Sequence, residues 1–298
     1  ADRAPTIIGS AQIAGHVTEA AAALTGLVAG TPVVSGLHDV DACAIGTGCS
    51  EPGQLSMTAG TFSINQVISA APAMDARWAC RNFVTPGRWM NMSISPASAT
   101  NLDWFVSELC AAEIAQAEQV GRSPYAFVND EIAAVIDEPT KVYFLPFIYG
   151  SPYGDQASAG FFGLRGWHTR GHMLRAVFEG VAFNHKWHID ALRSAFDVTE
   201  VRVTGGGARS EIWSQIFADA FGLPVVITEA QEAGALGAAI CAGLGAGVFA
   251  SLETAISRTV RAVRTYSPDP ARGARLAEAY QLYTDLAQAL QPIWARLE

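Results

Sequence analysis

The sequence has 298 residues, of which 50% are hydrophobic and 16% charged, and its formal net charge is −9. A chain of this length forms one or two domains and buries a large core, so it needs no disulfide or metal to fold, and its low charge excludes general disorder. The acidic balance argues against a groove that follows nucleic-acid phosphates, and no uncharged apolar run reaches the length of about 18 residues that predicts a membrane span.

Helix and strand signals alternate over the start of the chain. Residues 15–30 predict a short helix. Residues 32–36 predict a short buried strand that ends at Gly36, and residues 38–48, which are rich in small side chains, predict a second helix.

Antiparallel strands are predicted in the next segment. Residues 54–69 alternate between apolar and polar on either side of Gly60, which is typical of a β-hairpin, and residues 89–94 alternate in the same way. Apolar residues at helical spacing then predict a helix that begins near residue 100 and is capped by Ser98 or Thr100.

The second half of the chain alternates strands with helices. Residues 141–149 predict a buried strand that Pro146 ends, and residues 172–195 predict a long amphipathic helix. The remaining predicted elements are strands at residues 200–204 and 225–227 and helices at residues 211–221, 233–244 and 272–297. The helix at 233–244 is rich in glycine and alanine, so we expect it to pack closely against a neighbour. This alternation predicts an α/β fold.

A carboxylate directly follows the first predicted strand. Residues 36–41 read GLHDVD, so Asp39 lies at the start of a helix and at the sheet edge where open α/β folds bind ligands. A helix N-terminus stabilises a negative charge, and an ionised carboxylate can accept a proton from a substrate hydroxyl. The position also suits a plain helix N-cap, and the local pattern alone favours that structural role.

The predicted hairpin turn carries a possible phosphate loop, because residues 58–61 read TAGT. Gly60 allows a ligand to approach the backbone closely, and the flanking N–H groups and hydroxyls, including that of Thr61, can bind phosphate oxygens. An ordinary β-turn is the alternative, and the isolated pattern favours it.

A triple glycine joins a predicted strand to a predicted helix, in the segment 203–210 that reads VTGGGARS. Backbone N–H groups at such a helix start favour an anionic phosphate, and the missing side chains admit a flat base. The segment has neither the GxGxxG spacing of dinucleotide sites nor a Walker pattern, so a dehydrogenase is a weak alternative. A plain tight turn that binds no ligand is an equally good interpretation of this segment. Together with Asp39 and Gly60, the loop indicates a nucleotide on one side and a hydroxyl substrate on the other.

A longer pattern carries a family resemblance. Residues 159–164 read AGFFGL, and after seven residues the segment 172–179 reads HMLRAVFE. This pattern resembles the C-terminal signature of the FGGY carbohydrate kinases, and its own residues are interpreted as structural. The acidic, turn and triple-glycine elements occur in the family's order, and the resemblance covers essentially the whole chain. Segments 98–105 and 144–150 are most similar to xylulokinases and L-xylulose kinases.

The resemblance implies an actin/hexokinase-like (ribonuclease H-like) ATPase fold, in which a sugar and ATP meet in a cleft between two domains. Asp39 matches the family's catalytic base. Six further residues match nucleotide-binding segments: Gly60 and Thr61 at the phosphates, Ala99 at a backbone phosphate contact, and Gly206, Gly207 and Ser210 at the α-phosphate and adenosine.

Members of this family are considerably longer than this chain. Their first domain begins with a strand and an Asp-containing, Gly-Thr-rich phosphate loop that helps to place Mg²⁺, and the sequence has no such element. Residues 1–50 resemble the end of the N-terminal domain, and residues 51–298 resemble the C-terminal, ATP-binding domain. The resemblance therefore predicts a C-terminal fragment, whose activity on its own is in question.

The function that the resemblance implies is ATP-dependent phosphorylation of a ketose at a primary hydroxyl, with Asp39 as general base and with ATP and Mg²⁺ as cofactors. A pentulose such as xylulose is the favoured substrate. The expected partners are a small sugar and ATP, with no nucleic acid and no membrane, in the cytoplasm, and a homodimer is left open. The alternative is a non-catalytic nucleotide-binding module of the same fold.

Neither the cysteines nor the histidines predict a metal site. The five cysteines are scattered and lack paired metal-ligand spacing, which favours reduced thiols in a cytoplasmic protein. His185 and His188 lie three residues apart, but hydrogen-bonded or exposed histidines are far commoner than metal ligands at such a spacing. Trp104 is interpreted as a core residue.

Overall fold

Strands and helices alternate along residues 5–297, the part of the chain that the computed structural model describes. The strands are β1 (Ile13–His16), β2 (Pro32–Val34), β3 (Gln54–Ala59), β4 (Ser63–Ser69), β5 (Ala79–Asn82), β6 (Trp89–Ser95), β7 (Tyr143–Leu145), β8 (Gly160–Phe162), β9 (Glu200–Thr204), β10 (Val225–Thr228) and β11 (Ala262–Tyr266). The helices are α1 (Glu19–Thr25), α2 (Asp39–Gly46), α3 (Thr100–Leu109), α4 (Ala111–Val120), α5 (Pro124–Val135), α6 (Arg170–Arg193), α7 (Glu211–Phe221), α8 (Ala233–Gly245), α9 (Leu252–Thr259) and α10 (Pro270–Trp294), with a 3-10 turn at Gly206–Arg209. The predicted α/β class is confirmed. Residues 1–4, at the start of the first predicted domain, and residue 298, at the end of the second, lie outside the described part.

A seven-stranded sheet organises most of the chain, in the order β11-β10-β9-β3-β4-β6-β5. Strands β3, β9 and β10 run parallel to one another, whereas β4, β6, β5 and β11 pair antiparallel with their neighbours. Thr58 of β3 lies opposite Thr204 of β9 at the end of the shared ladder. The turn after β3 and the triple glycine after β9 therefore leave the same edge of the sheet side by side.

The main core lies between this sheet and α6. The predicted apolar face of α6 is confirmed, since Leu174, Val177, Val181 and Leu192 are fully buried. Helix α7 packs beside α6, where the ring of Trp213 stacks on that of Phe178 with centroids 4.2 Å apart. Burial of such large apolar side chains is the main term that stabilises the fold.

A polar layer crosses this core where α6 faces β4 and β6. His185 and His188 are buried there and bonded to hydroxyl or amide groups at both ring nitrogens. Their partners are Ser63, Asn65, Ser93, Ser95 and Ser98. The structural interpretation of the two histidines is thus confirmed. Burial lowers the pKa of both imidazoles from 6.5 to about 3.

The two buried imidazoles are expected to make stability depend on pH. Because the unfolded histidine binds a proton near pH 6.5 and the native one does not, stability is fully present above pH 6.5 and falls as the pH decreases toward about 3. Between about pH 7.5 and 5.5, each imidazole should lower the free energy of unfolding by about 1.4 kcal/mol.

Urea unfolding at the two pH values measures this effect. His188→Gln should destabilise the protein at the higher pH. The change in its unfolding free energy between the two pH values should be smaller than that of the wild type by the contribution of this one imidazole. Exposed His16 provides the matched control, since His16→Gln should leave the pH dependence unchanged. An unaltered pH dependence in His188→Gln would contradict the assignment.

Helices α2 and α8 meet almost backbone to backbone. A methyl group added at Gly46 would overlap the carbonyl of Ala233, and one added at Gly237 would overlap the carbonyl of Ala42. The close packing predicted for the glycine- and alanine-rich segment 233–244 is therefore confirmed. It fixes the position of α2, which begins at Asp39.

Three local expectations were wrong. Strand β2 is mostly exposed rather than buried, because it pairs only with β1 in a separate two-stranded sheet. Neither Ser98 nor Thr100 caps α3, since the Ser98 hydroxyl bonds His185 and that of Thr100 donates to the carbonyl of Thr61. Trp104 is 37% exposed, because the helical period turns other residues of α3 toward the core.

Several short or weakly patterned elements were not predicted. They are β1, β5, β8, β11, α4, α5 and α9. Among residues 5–297, no helix combines the length and the apolar character needed to cross a bilayer. All five cysteines are unpaired.

Candidate functional site

Asp39 is presented to solvent at the start of α2. Its side chain is 86% exposed, and its Oδ1 accepts the N–H of Val40 at 2.8 Å. The Nδ1 of His38 lies 3.1 Å from the same oxygen, but this nitrogen also faces the guanidinium of Arg81 at 3.1 Å. His38 thus contacts both Asp39 and Arg81. Within the described residues, both contacts of the carboxylate are made by Oδ1, and Oδ2 has no hydrogen-bond donor.

A buried ion pair holds this end of α2. The carboxylate of Asp41 accepts from Arg81 at 3.0 Å, which ties α2 to β5. Burial raises the pKa of Asp41, and the nearby charge of Arg81 opposes that shift. Asp41 belongs to the segment 36–41 that was singled out around Asp39. Its ion pair with Arg81, forty residues away in the sequence, could not be predicted from neighbouring residues.

The turn after β3 is tied to the start of α3. The N–H of Ala99 donates to the carbonyl of Gly60 at 2.9 Å, and the Thr100 hydroxyl donates to the carbonyl of Thr61 at 3.3 Å. The family resemblance implies a phosphate contact at the backbone of Ala99, whereas in this structure the Ala99 N–H is bonded to the carbonyl of Gly60. Its contact with phosphate stays a prediction.

Each glycine of the triple-glycine loop has a different role. Gly205 adopts φ +91°, and a Cβ there would lie 2.7 Å from the carbonyl oxygen of Ala59. A Cβ at Gly207 would lie 2.8 Å from the Cβ of Ala59, so this glycine is needed for packing against β3. A Cβ at Gly206 would meet nothing within 4 Å, so the middle glycine faces open space. Ser210 then caps α7 by accepting the N–H of Trp213 at 3.2 Å.

A cavity of about 630 Å³ opens between the two loops. It is lined by Gly60, Thr61, Ala99, Leu102, Asp103, Ser123, Tyr125, Ala126, Val128, Asn129, Phe178, Gly206, Arg209, Ser210 and Trp213. Five of the six residues predicted to bind the nucleotide are thus brought together, and Gly207 lies beneath them. Asp39 is not among the lining residues. The volume is in the range of small-molecule sites, which is about 300 to 1,000 Å³.

Helix α5 supplies the wall of the cavity that the sequence did not reveal. The hydroxyl of Tyr125 donates to Asp103 at 2.5 Å, which joins α5 to α3. Burial, followed by this hydrogen bond, raises the pKa of Tyr125. The Oδ1 of Asn129 accepts from the hydroxyl of Ser210 at 2.8 Å, which joins α5 to the triple-glycine loop. A serine and a proline before residue 125 are the one local signal for this helix start.

The residues of the 159–179 signature serve packing. Gly163 adopts φ +81°, and a methyl group there would overlap the carbonyl of Lys141. The guanidinium of Arg175 binds Glu179 at 2.8 Å within α6. These contacts support the structural interpretation of the signature.

The family assignment rests on a sequence match over most of the chain. The C-terminal domain model of the FGGY family of carbohydrate kinases matches residues 55–246. The chain belongs to this family. The resemblance stated from the sequence is confirmed.

Similar proteins are kinases by name, and one of them is named for a sugar substrate. The L-xylulose/3-keto-L-gulonate kinase of Escherichia coli K12 is 36% identical over 302 residues, which cover 99% of this chain and 57% of that protein. The autoinducer-2 kinase of the same strain is 33% identical over 292 residues, which cover 94% of this chain and 53% of that protein. This chain therefore spans little more than half the length of these relatives.

A solved structure confirms the expected actin/hexokinase-like fold class. The xylulose kinase of Rhodospirillum rubrum superposes with a TM-score of 0.84 at 30% sequence identity. The superposition covers 98% of this chain and 58% of that kinase. The fold is thus that of the C-terminal domain of FGGY sugar kinases.

Proposed function

We propose that the protein, as part of an FGGY kinase, transfers the γ-phosphoryl group of ATP to a primary hydroxyl of a ketose, with a pentulose such as xylulose as the favoured substrate. The observation that carries this proposal is the single cavity onto which both the β3–β4 turn and the triple-glycine loop open. Membership of the carbohydrate kinase family and the names of the similar proteins support the sugar substrate.

The cavity offers complementary groups to a nucleoside triphosphate. Gly60 and Thr61 present turn backbone and a hydroxyl on one side, and Gly206 and Ser210 present the glycine loop on the other. Arg209 also lines the cavity, and its planar guanidinium is a group that binds phosphate oxygens well. We assign the phosphates to Gly60, Thr61 and Arg209, and the α-phosphate and adenosine to the glycine loop with Gly206, Gly207 and Ser210.

Asp39 is assigned the role of general base. As the hydroxyl oxygen of the sugar bonds to the γ-phosphorus, the bond from that phosphorus to the β,γ-bridging oxygen breaks and ADP leaves. The hydroxyl proton passes to Oδ2 of Asp39, which has no donor among residues 5–297.

The proposal includes the two expected domains, with residues 1–50 as the end of the first and residues 51–298 as the second.

Mg²⁺ is normally held by phosphate oxygens, waters and one or two carboxylates, and the described residues form no cluster of three or more metal-ligating side chains. The unpaired cysteines support a cytoplasmic location. Monomer and homodimer are both compatible with the proposal.

Filling the open position at Gly206 tests the nucleotide site. Gly206→Leu should weaken ATP binding at least about tenfold, because the added side chain occupies cavity volume, and should leave stability within about 0.5 kcal/mol because no neighbour is displaced. Titration calorimetry with ATP measures the affinity. Gly166 is also without neighbours and lies outside the cavity, so Gly166→Leu is the control. Unchanged ATP affinity in Gly206→Leu would contradict the site.

A non-catalytic nucleotide-binding module of the same fold is the second candidate. The position of Asp39 outside the cavity lining favours it. A coupled ADP-release assay of the full gene product against a panel of ketoses separates the two functions. ATP binding without sugar-dependent ADP release would support the module.

A further inference from the structure

Asn129 is held in one orientation on the α5 wall of the cavity. Its Oδ1 accepts from the Ser210 hydroxyl at 2.8 Å, and the oxygen of that hydroxyl accepts the N–H of Trp213 at 3.2 Å. A serine hydroxyl has a single proton. In this arrangement the Ser210 hydroxyl gives its proton to Asn129 and accepts the N–H of Trp213, so the carbonyl end of the amide faces Ser210.

The other end of the amide is a donor without a protein partner. Since Oδ1 is turned to Ser210, the NH₂ group of Asn129 points elsewhere, and it has no acceptor among the described residues. Asn129 lines the cavity and is half-buried. The apolar side chains of Val128 and Phe178 line the same cavity and are buried. An oriented donor in a cavity that is partly lined by apolar side chains is an arrangement that can recognise a flat heteroaromatic ring by one edge.

We propose that Asn129 selects the base of the nucleotide by donating a hydrogen bond from Nδ2 to N1 of adenine. This inference rests on the proposed function, which places a nucleoside triphosphate in the cavity. N1 of adenine is an acceptor, whereas N1 of hypoxanthine and guanine carries a hydrogen. Two donors facing each other in a half-buried site leave both unsatisfied, so the amide disfavours those bases.

Ser210 acts as the positioning residue for this contact. Without its hydroxyl, the amide of Asn129 could rotate and present Oδ1 to the base. The hydrogen bond from Ser210 to Asn129 also connects the N-cap residue of α7 to α5. Selectivity for the base is therefore linked to the triple-glycine loop through one side chain.

Competition between ATP and inosine triphosphate tests the inference, because the two nucleotides share every phosphate contact. The wild-type chain should bind ATP at least about tenfold more tightly than inosine triphosphate in titration calorimetry. Asn129→Asp keeps Oδ1 for Ser210 but replaces the donor with an acceptor, so the preference should move toward inosine triphosphate by about tenfold or more. The added charge affects both nucleotides alike, and the ratio of the two affinities removes it. Asn129→Leu should bind both equally.

Asn82 on β5 is exposed and far in sequence from the cavity, so Asn82→Asp is the matched control and should keep the wild-type ratio. Thermal unfolding establishes that each variant is folded. Equal wild-type affinities for the two nucleotides, or a wild-type ratio in Asn129→Asp and Asn129→Leu, would overturn the inference and leave the proposed function intact. Failure of the wild-type chain to bind either nucleotide would overturn both.

Discussion

Asp39→Asn is expected to lower sugar-dependent ADP release by about 10²- to 10⁴-fold, the usual contribution of a general base. Asparagine has the size of aspartate but cannot accept the hydroxyl proton. ATP affinity should stay at the wild-type value, because Asp39 is exposed and does not line the cavity. The fold should also persist, since the exposed carboxylate contacts only the two residues next to it in the chain, His38 and Val40.

A coupled ADP-release assay of the full gene product with a panel of ketoses measures turnover, and calorimetry measures ATP affinity. Asp137→Asn removes one exposed negative charge elsewhere and should leave both values unchanged. Near-normal turnover in Asp39→Asn would remove this residue from the role of base. A loss of ATP affinity with normal turnover at saturating ATP would place it at the nucleotide instead.

The parts of the site that could be predicted from the sequence are those with short-range signals. A strand that ends in a glycine-containing turn is recognisable within ten residues, and both the turn after β3, which leads into β4, and the loop after β9, which leads into α7, have this form. The parallel pairing of β3 with β9 then brings the two loops together. Five of the six predicted residues meet at the cavity for that reason.

The α5 wall could not be predicted because its contacts are long-range. The hydrogen bond between Ser210 and Asn129 spans 81 residues of sequence, and the ion pair of Asp41 with Arg81 spans 40. In neither pair do the neighbouring residues in the sequence indicate that the two side chains meet. The polar layer around His185 was missed for a related reason, since serines and asparagines in strands usually indicate an exposed face.

The separate roles of the three glycines could also not be predicted from the sequence. The sequence shows three equivalent glycines after β9, but only the middle one faces the cavity. Gly205 and Gly207 are required by the close approach of Ala59. In the same way, the composition of α8 predicted close packing, yet only the structure shows which of its glycines touch α2.

Gly237→Ala is expected to reduce the free energy of unfolding by about 3 kcal/mol, at the upper end of the usual cost of overpacking. The added methyl group would overlap the backbone carbonyl of Ala42, and backbone cannot rotate away as a side chain can. Helices α2 and α8 would have to separate. Because α2 begins with Asp39, sugar-dependent turnover should fall as well, even at temperatures where the protein remains folded.

Gly234→Ala in the same helix is the matched comparison for this variant. A Cβ at Gly234 would lie 3.4 Å from the Sγ of Cys43, which is ordinary contact. Both substitutions gain the same helix propensity, about 1 kcal/mol, so the difference in urea unfolding free energy between them isolates the overlap with α2. Equal stabilities for the two variants would show that α8 can move away from α2 at little cost. A large difference would show that the contact between these helices fixes the start of α2, and with it the position of the proposed base.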